Sequence, residues 1–120
     1  MNVEIRYIAD AGVASKERLV LRVLRADDIG SYVVFDTTFT SQGDVSNKVR
    51  HSFWFPDKNV RKGDLVVLYT KSGLASENKN QDGSTTHFFH WCLDKTVWNT
   101  DGDCAVLVHV DNWKATGRER

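Results

Sequence analysis

The chain predicts an all-β fold, an antiparallel β-sandwich or small barrel of about seven to eight strands. Three observations carry this expectation. Short runs rich in Val, Thr, Ile and aromatic residues recur along the 120 residues, while proline occurs once, as Pro56. Within most runs the apolar positions alternate with a period of two, the period of a strand with one face buried. Clusters of Gly, Asn, Asp and Ser separate the runs.

Each element follows in order. In "VEIRYI", Val3, Ile5 and Tyr7 alternate with Glu4 and Arg6, which predicts a half-buried strand. "ERLVLRVL" fits a strand through Leu19, Leu21 and Val23, or a helix capped by Ser15 with Leu19, Val20, Val23 and Leu24 on one face; its β surroundings favour the strand. "SYVVFDTTF" is a strand with a continuous apolar centre, and "SQGDVSN" is a loop. "VRHSFWF" sets Val49, His51, Phe53 and Phe55 against Arg50, Ser52 and Trp54, and Pro56 ends it. "KNVRKGD" is a turn, and "LVVLYT" is apolar on both faces, as an interior strand is. Residues 71–86 read as one long exposed loop, longer than the roughly 4–6 residues of an ordinary connection. "HFFHWCL", a short "TVW" and "CAVLVHVDNW" complete the strands. Residues 1–113 are expected to form one domain, with 114–120 as a polar tail.

Composition excludes several classes of function. Sixteen basic and sixteen acidic residues cancel, so no global field draws the chain to nucleic acid or to an anionic membrane. The N-terminus lacks the basic-then-apolar pattern of a signal peptide, and no stretch approaches the ~18 apolar residues of a membrane helix. The expectation is a cytoplasmic protein or a module of a larger one, with no membrane partner. Two cysteines are too few for a disulfide scaffold.

The constellations that suggest chemistry fail on geometry. His90, Cys92, Cys104 and His109 supply the inventory of a tetrahedral zinc site. On a strand, however, Cys104 and His109 lie five positions apart and face opposite ways, with Cys104 in an apolar row with Val106, Val108 and Val110. Cys104 then reads as a small buried hydrophobe. "NTDGD" places Asn99, Asp101 and Asp103 at alternate positions, but Gly102 falls between the carboxylates and no acid stands where a calcium loop ends. "DG" between two apolar runs instead predicts a hairpin turn. No phosphate-binding glycine loop and no Ser–His–Asp spacing occurs, so neither a metal nor a cofactor is expected, and no catalytic residue.

One segment does point to binding. Residues 48–63 carry Lys48, Arg50, Lys58, Arg61 and Lys62 against a single acid, Asp57, with Phe53, Trp54 and Phe55 interleaved. Basic groups could contact phosphates while Trp54 stacks on a base. The candidate binding residues are Arg50, Trp54, Lys58, Arg61 and Lys62.

Three stretches, "ERLVLRVLRADDIGSYVVFD", "FWFPDKNVRKGDLVVLYTKSG" and "VWNTDGDCAVLVHVDNW", together resemble the lamin tail domain. The order of parts is similar over roughly residues 17–113: a strand opening on Glu17, the Phe55–Pro56 segment, Gly63 before an apolar strand bearing Leu65 and Val67, then Trp98–Asn99 followed by Gly102–Asp103 and a strand bearing Leu107. Tyr32 stands where the family usually has Trp, and residues 37–48 lengthen a connection. The resemblance implies an immunoglobulin-like β-sandwich without intrinsic catalytic residues, Phe55, Pro56, Gly63, Trp98, Asn99, Gly102 and Asp103 being its structural signature. It implies a non-enzymatic interaction module that binds protein or associates with copies of itself, with no small-molecule substrate. The alternative is a nucleic-acid-binding module using residues 48–63, for which "KGDLVVLYTKSG" is also similar to strands of PUA-like barrels. A third reading, a small hydrolase or metalloprotein, would need His90, Cys92 and His109 to meet.

Overall fold

Strand β1 (Val3–Ala9) pairs antiparallel with β2 (Arg18–Val23), and the pairing decides what the sequence left open at residues 17–24. Leu19, Leu21 and Val23 enter the core, while Val20 is buried on the opposite face, as befits a strand inside a sheet. The computed structural model describes residues 1–118. The remaining strands are β3 (Asp27–Asp28), β4 (Tyr32–Thr38), β5 (His51–Trp54), β6 (Asn59–Val60), β7 (Leu65–Tyr69), β8 (Ser76–Lys79), β9 (Thr85–His90) and β10 (Asp103–His109). A three-residue 3-10 turn, Ile29–Ser31, is the single helical element among the described residues. No helix there is long and apolar enough to cross a membrane.

The fold is an all-β sandwich-like arrangement of two main sheets. One is five-stranded, in the order β1-β2-β7-β9-β8; the other is three-stranded, β10-β4-β5, and β3 pairs with β6 beside them. Between the sheets, Val3, Leu19, Leu21, Val23, Val66, Leu68 and Phe89 of the first meet Tyr32, Val34 and Leu107 of the second, with Phe55, Val97 and Trp98 filling the ends. Trp98 is buried and donates its indole N–H to the Cys104 carbonyl at 3.3 Å. It anchors this end of the core.

Several expectations need correction. The sandwich is not wholly antiparallel, because β7 and β9 run parallel. The chain leaves β7, forms the edge strand β8 and returns through a hairpin as β9 between them. The long loop at 71–86 therefore contains β8, whose four residues are all exposed. An edge strand solvated on both faces has no alternation to read. In β1, Val3 is buried while Ile5 and Tyr7 are exposed. A register shift between Ile5 and Tyr7 turns the later residues over, so Ile8 packs on the core instead.

"TVW" is not a strand. The N–H groups of Val97 and Trp98 donate to the buried Glu17 carboxylate, at 2.9 and 3.2 Å, so the backbone donors that a ladder would need are already taken. The Gly102 turn therefore caps β10 alone: Gly102 takes φ +90°, and Thr100 N–H donates to Asp103 Oδ2 at 2.8 Å. β10 ends at His109 rather than Trp113, and its core-facing residues are Ala105 and Leu107. Cys104 is buried on the other face, opposite Thr37, whose hydroxyl donates to the Ser46 carbonyl at 2.9 Å and lies 3.2 Å from that of Lys48. Of the polar tail at 114–120, residues 119 and 120 lie outside the described residues.

Candidate functional site

Two surface sites and one internal ion-pair network divide the residues that the sequence singled out. The first is an aromatic cleft. Alternation along β5 and just beyond sends Phe53 and Phe55 inward, where their rings meet edge to face at 5.0 Å, and leaves Trp54 outside and 48% exposed. Trp54 is held there by its indole N–H, which donates to the Gly30 carbonyl at 2.7 Å. Beyond β10, Val110 N–H donates to the Ser31 carbonyl at 2.7 Å, and this carries Trp113 to the same place. Its ring stands at 87° to that of Trp54, centroids 5.0 Å apart, and it is 62% exposed. The two indoles wall a cleft of about 490 Å³ that Pro56, Asp57, Val110 and Asp111 also line.

The floor of this cleft is rigid. The Asp28 carboxylate accepts from the N–H groups of Gly30 (2.8 Å) and Lys58 (2.9 Å), and Ile29 N–H donates to the Lys58 carbonyl at 2.9 Å. These bonds clamp the 3-10 turn to the segment after Pro56. Gly30 has no room for a side chain, since a Cβ there would stand 2.8 Å from the Asp57 Cα.

The second site is a basic groove of about 600 Å³ between the β6–β7 turn and the β8–β9 hairpin. Lys58, Arg61 and Lys62 line it together with Arg22 and Lys79. Much of this charge is answered within the protein. Lys58 pairs with Glu77 at 3.0 Å, Lys79 lies 3.9 Å from the same carboxylate, and Asp82 also lines the groove. Arg22, Arg61 and Lys62 have no ion-pair partner among the described residues. Beneath them the buried Asp64 carboxylate bonds His87 Nε2 at 2.9 Å and accepts from the N–H groups of Arg61 and Thr85. Burial alone would raise this carboxyl, but the three hydrogen bonds outweigh burial and hold it below its ordinary range.

Arg50 belongs to neither. Its guanidinium donates to Asp36 at 2.6 Å, to Asp103 at 3.2 Å and to the Thr37 carbonyl at 3.0 Å. Asp36 is buried and also bonds His51 Nδ1 at 2.9 Å. Arg50 thus ties β4 and the start of β10 together, its charge already satisfied. The five candidate binding residues separate into one for the cleft, three for the groove and one structural ion pair. Sequence reasoning missed Trp113, Asp111, Arg22 and Lys79. Trp113, a lone aromatic in the polar stretch "VDNWKATG", was the legible signal, obscured by its assignment to the last strand.

The cysteines and histidines do not form a shared centre. Cys92 is exposed and takes φ +61° just past β9, while Cys104 is buried; both are free thiols. Among the described residues no three His, Cys, Asp or Glu side chains group as metal ligands would. No protein-family model matches the chain, and no curated protein sequence matches it significantly.

Proposed function

We propose that this chain is a non-enzymatic, lamin-tail-like interaction module that docks a protein partner through the Trp54–Trp113 cleft. The observation that carries the reading is the pair of half-exposed indoles set at right angles over a rigid floor. Large aromatic surface left in water is costly to keep unless a partner covers it, and tryptophan anchors dominate many interfaces. The burial of Phe55 and Trp98 and the Gly102–Asp103 turn suit the structural roles that the lamin-tail resemblance gives those positions. Two free thiols suit a reducing, cytoplasmic setting.

The test compares the intact chain with Trp113→Ala and Trp54→Ala in affinity capture followed by mass spectrometry, alongside sedimentation over a range of concentrations. A partner, or a dimer of the chain itself, that is lost with both variants is the expected result. Partners retained equally by all three proteins refute docking at the cleft.

The groove favours a second reading, binding of nucleic acid, because Arg22, Arg61 and Lys62 stand without acidic partners on one surface. Single-stranded RNA or DNA should then bind with a steep salt dependence that Arg61→Glu with Lys62→Glu abolishes. Binding unchanged by that double substitution removes this reading.

A further inference from the structure

The chemistry of the cleft narrows what it takes. Trp54 and Trp113 stand edge to face at 87° and stay about half exposed, so π-surface of both rings remains open to the cleft, and such surface attracts cations through the ring quadrupole. Among the described residues, the charged ones lining the cleft are Asp57 and Asp111, and no basic side chain lines it. Neither carboxylate has a hydrogen-bond or ion-pair partner among the described residues, in contrast to Asp28, Asp36, Asp64 and Asp103, which are all engaged. A neutral apolar ligand would use the indoles but would gain nothing from the two free carboxylates. A phosphate or an acidic peptide would be repelled by them.

From this geometry we infer that the cleft is a receptor for a cationic side chain of the partner protein, an alkylated ammonium such as a methylated lysine being the best fit. A methylated ammonium spreads its charge over an apolar surface. It therefore loses less hydration on entering an aromatic corner than a bare ammonium does, while keeping its attraction to the rings and to Asp57 and Asp111. The inference rests on the docking reading above and adds the chemistry of the docked group.

The experiment uses the full chain labelled with ¹⁵N and follows its four indole N–H resonances. The probes are choline and its neutral isostere 3,3-dimethylbutan-1-ol, then the amide of N-acetyl-trimethyllysine and its unmethylated counterpart. Trp54→Phe and Trp113→Phe assign the two cleft resonances. Choline and trimethyllysine should shift the Trp54 and Trp113 signals saturably and leave those of Trp91 and Trp98 in place. The isostere should bind about fivefold more weakly or worse, the ratio that roughly 1 kcal/mol of cation–π attraction produces. Asp57→Asn with Asp111→Asn should lower that preference toward the roughly fivefold share of the rings, and Trp113→Leu, which stays apolar but lacks a π-face, should lower it further. Equal binding of choline and its isostere, or cation-induced shifts confined to Trp91 and Trp98, overturns the inference. A partner that still requires Trp113 would then leave the docking reading standing without a cation.

Discussion

Glu17→Gln tests the central joint of the fold with a change of one atom. Glu17 is fully buried, and its carboxylate accepts four hydrogen bonds. Oε1 takes Val97 N–H at 2.9 Å and the Thr70 hydroxyl at 3.0 Å; Oε2 takes Gly12 N–H at 2.8 Å and Trp98 N–H at 3.2 Å. A glutamine must turn its NH₂ toward one side. On the Oε2 side it would face two N–H donors. On the Oε1 side Thr70 can rotate and donate instead to the Glu17 carbonyl, 3.2 Å away, leaving only Val97 N–H orphaned. That orphan costs about 1–3 kcal/mol, and the two bonds kept on the other oxygen lose charge assistance worth roughly 1 kcal/mol each. Relief of the buried charge offsets on the order of 1 kcal/mol. The expected destabilisation is about 2–4 kcal/mol, read from urea unfolding with an unchanged slope. Amide exchange should accelerate most at Val97 and Trp98. A loss below about 0.5 kcal/mol, or exchange that accelerates elsewhere first, would refute the carboxylate as the joint between the 10–17 turn, the end of β7 and the Trp98 segment.

Other consequences can be checked alongside. Because the Asp64 carboxyl is held below its ordinary range in the folded protein, its contribution is present above the unfolded value of about 3.9 and is lost as pH falls through the folded value. Asp64→Asn should flatten the acid limb of stability against pH below about 4, and superimposable acid limbs would contradict the assignment. The Tyr32 phenol is pushed up to about 12, first by burial and then by its hydrogen bond to Asp27. Stability should therefore hold below about pH 10 and fall as pH rises from there through 12, more steeply than in Tyr32→Phe; an equal alkaline slope in the phenylalanine variant would refute this. Burial, and secondarily Asp36, raises the Cys104 thiol. A thiol reagent at neutral pH should label Cys92 rapidly and Cys104 only on unfolding, and two equally fast thiols would count against the burial of Cys104 on β10.

The strand class was legible because burial on one face leaves a period-two record, as in Leu19, Leu21 and Val23 or Phe53 and Phe55 around Trp54. Where the record failed, a specific interaction had replaced that alternation. The bulge in β1 reset the faces after Ile5. β8 had no buried face to mark it. The Val97–Trp98 segment looked like a strand because it is apolar, but its backbone is satisfied by a glutamate eighty residues earlier, a pairing that no local pattern encodes. The parallel β7–β9 pair was hidden likewise, since a continuous apolar run does not state the direction of its neighbour.

For the candidate site, sequence proximity proved a poor guide to shared surface. Arg50, Trp54 and Lys58 lie within nine positions, yet the strand-to-turn path at Phe55–Pro56 sends them to three different places. What each can do follows from its neighbours. Arg50, with Asp36 and Asp103 at 2.6 and 3.2 Å, has little charge left to offer a ligand. Lys58 shares Glu77 with Lys79. Trp54 keeps its ring free because its one polar atom is already bonded to Gly30. A ligand drawn to Arg50 or Lys58 would meet cations already paired within the protein, whereas Arg22, Arg61 and Lys62 of the groove have no ion-pair partner among the described residues. One drawn to the indoles would meet, among the described residues lining the cleft, two carboxylates without partners and no basic side chain. At the cleft, the balance of local charge, more than the count of lysines and arginines in the chain, is what supports the proposed cationic ligand.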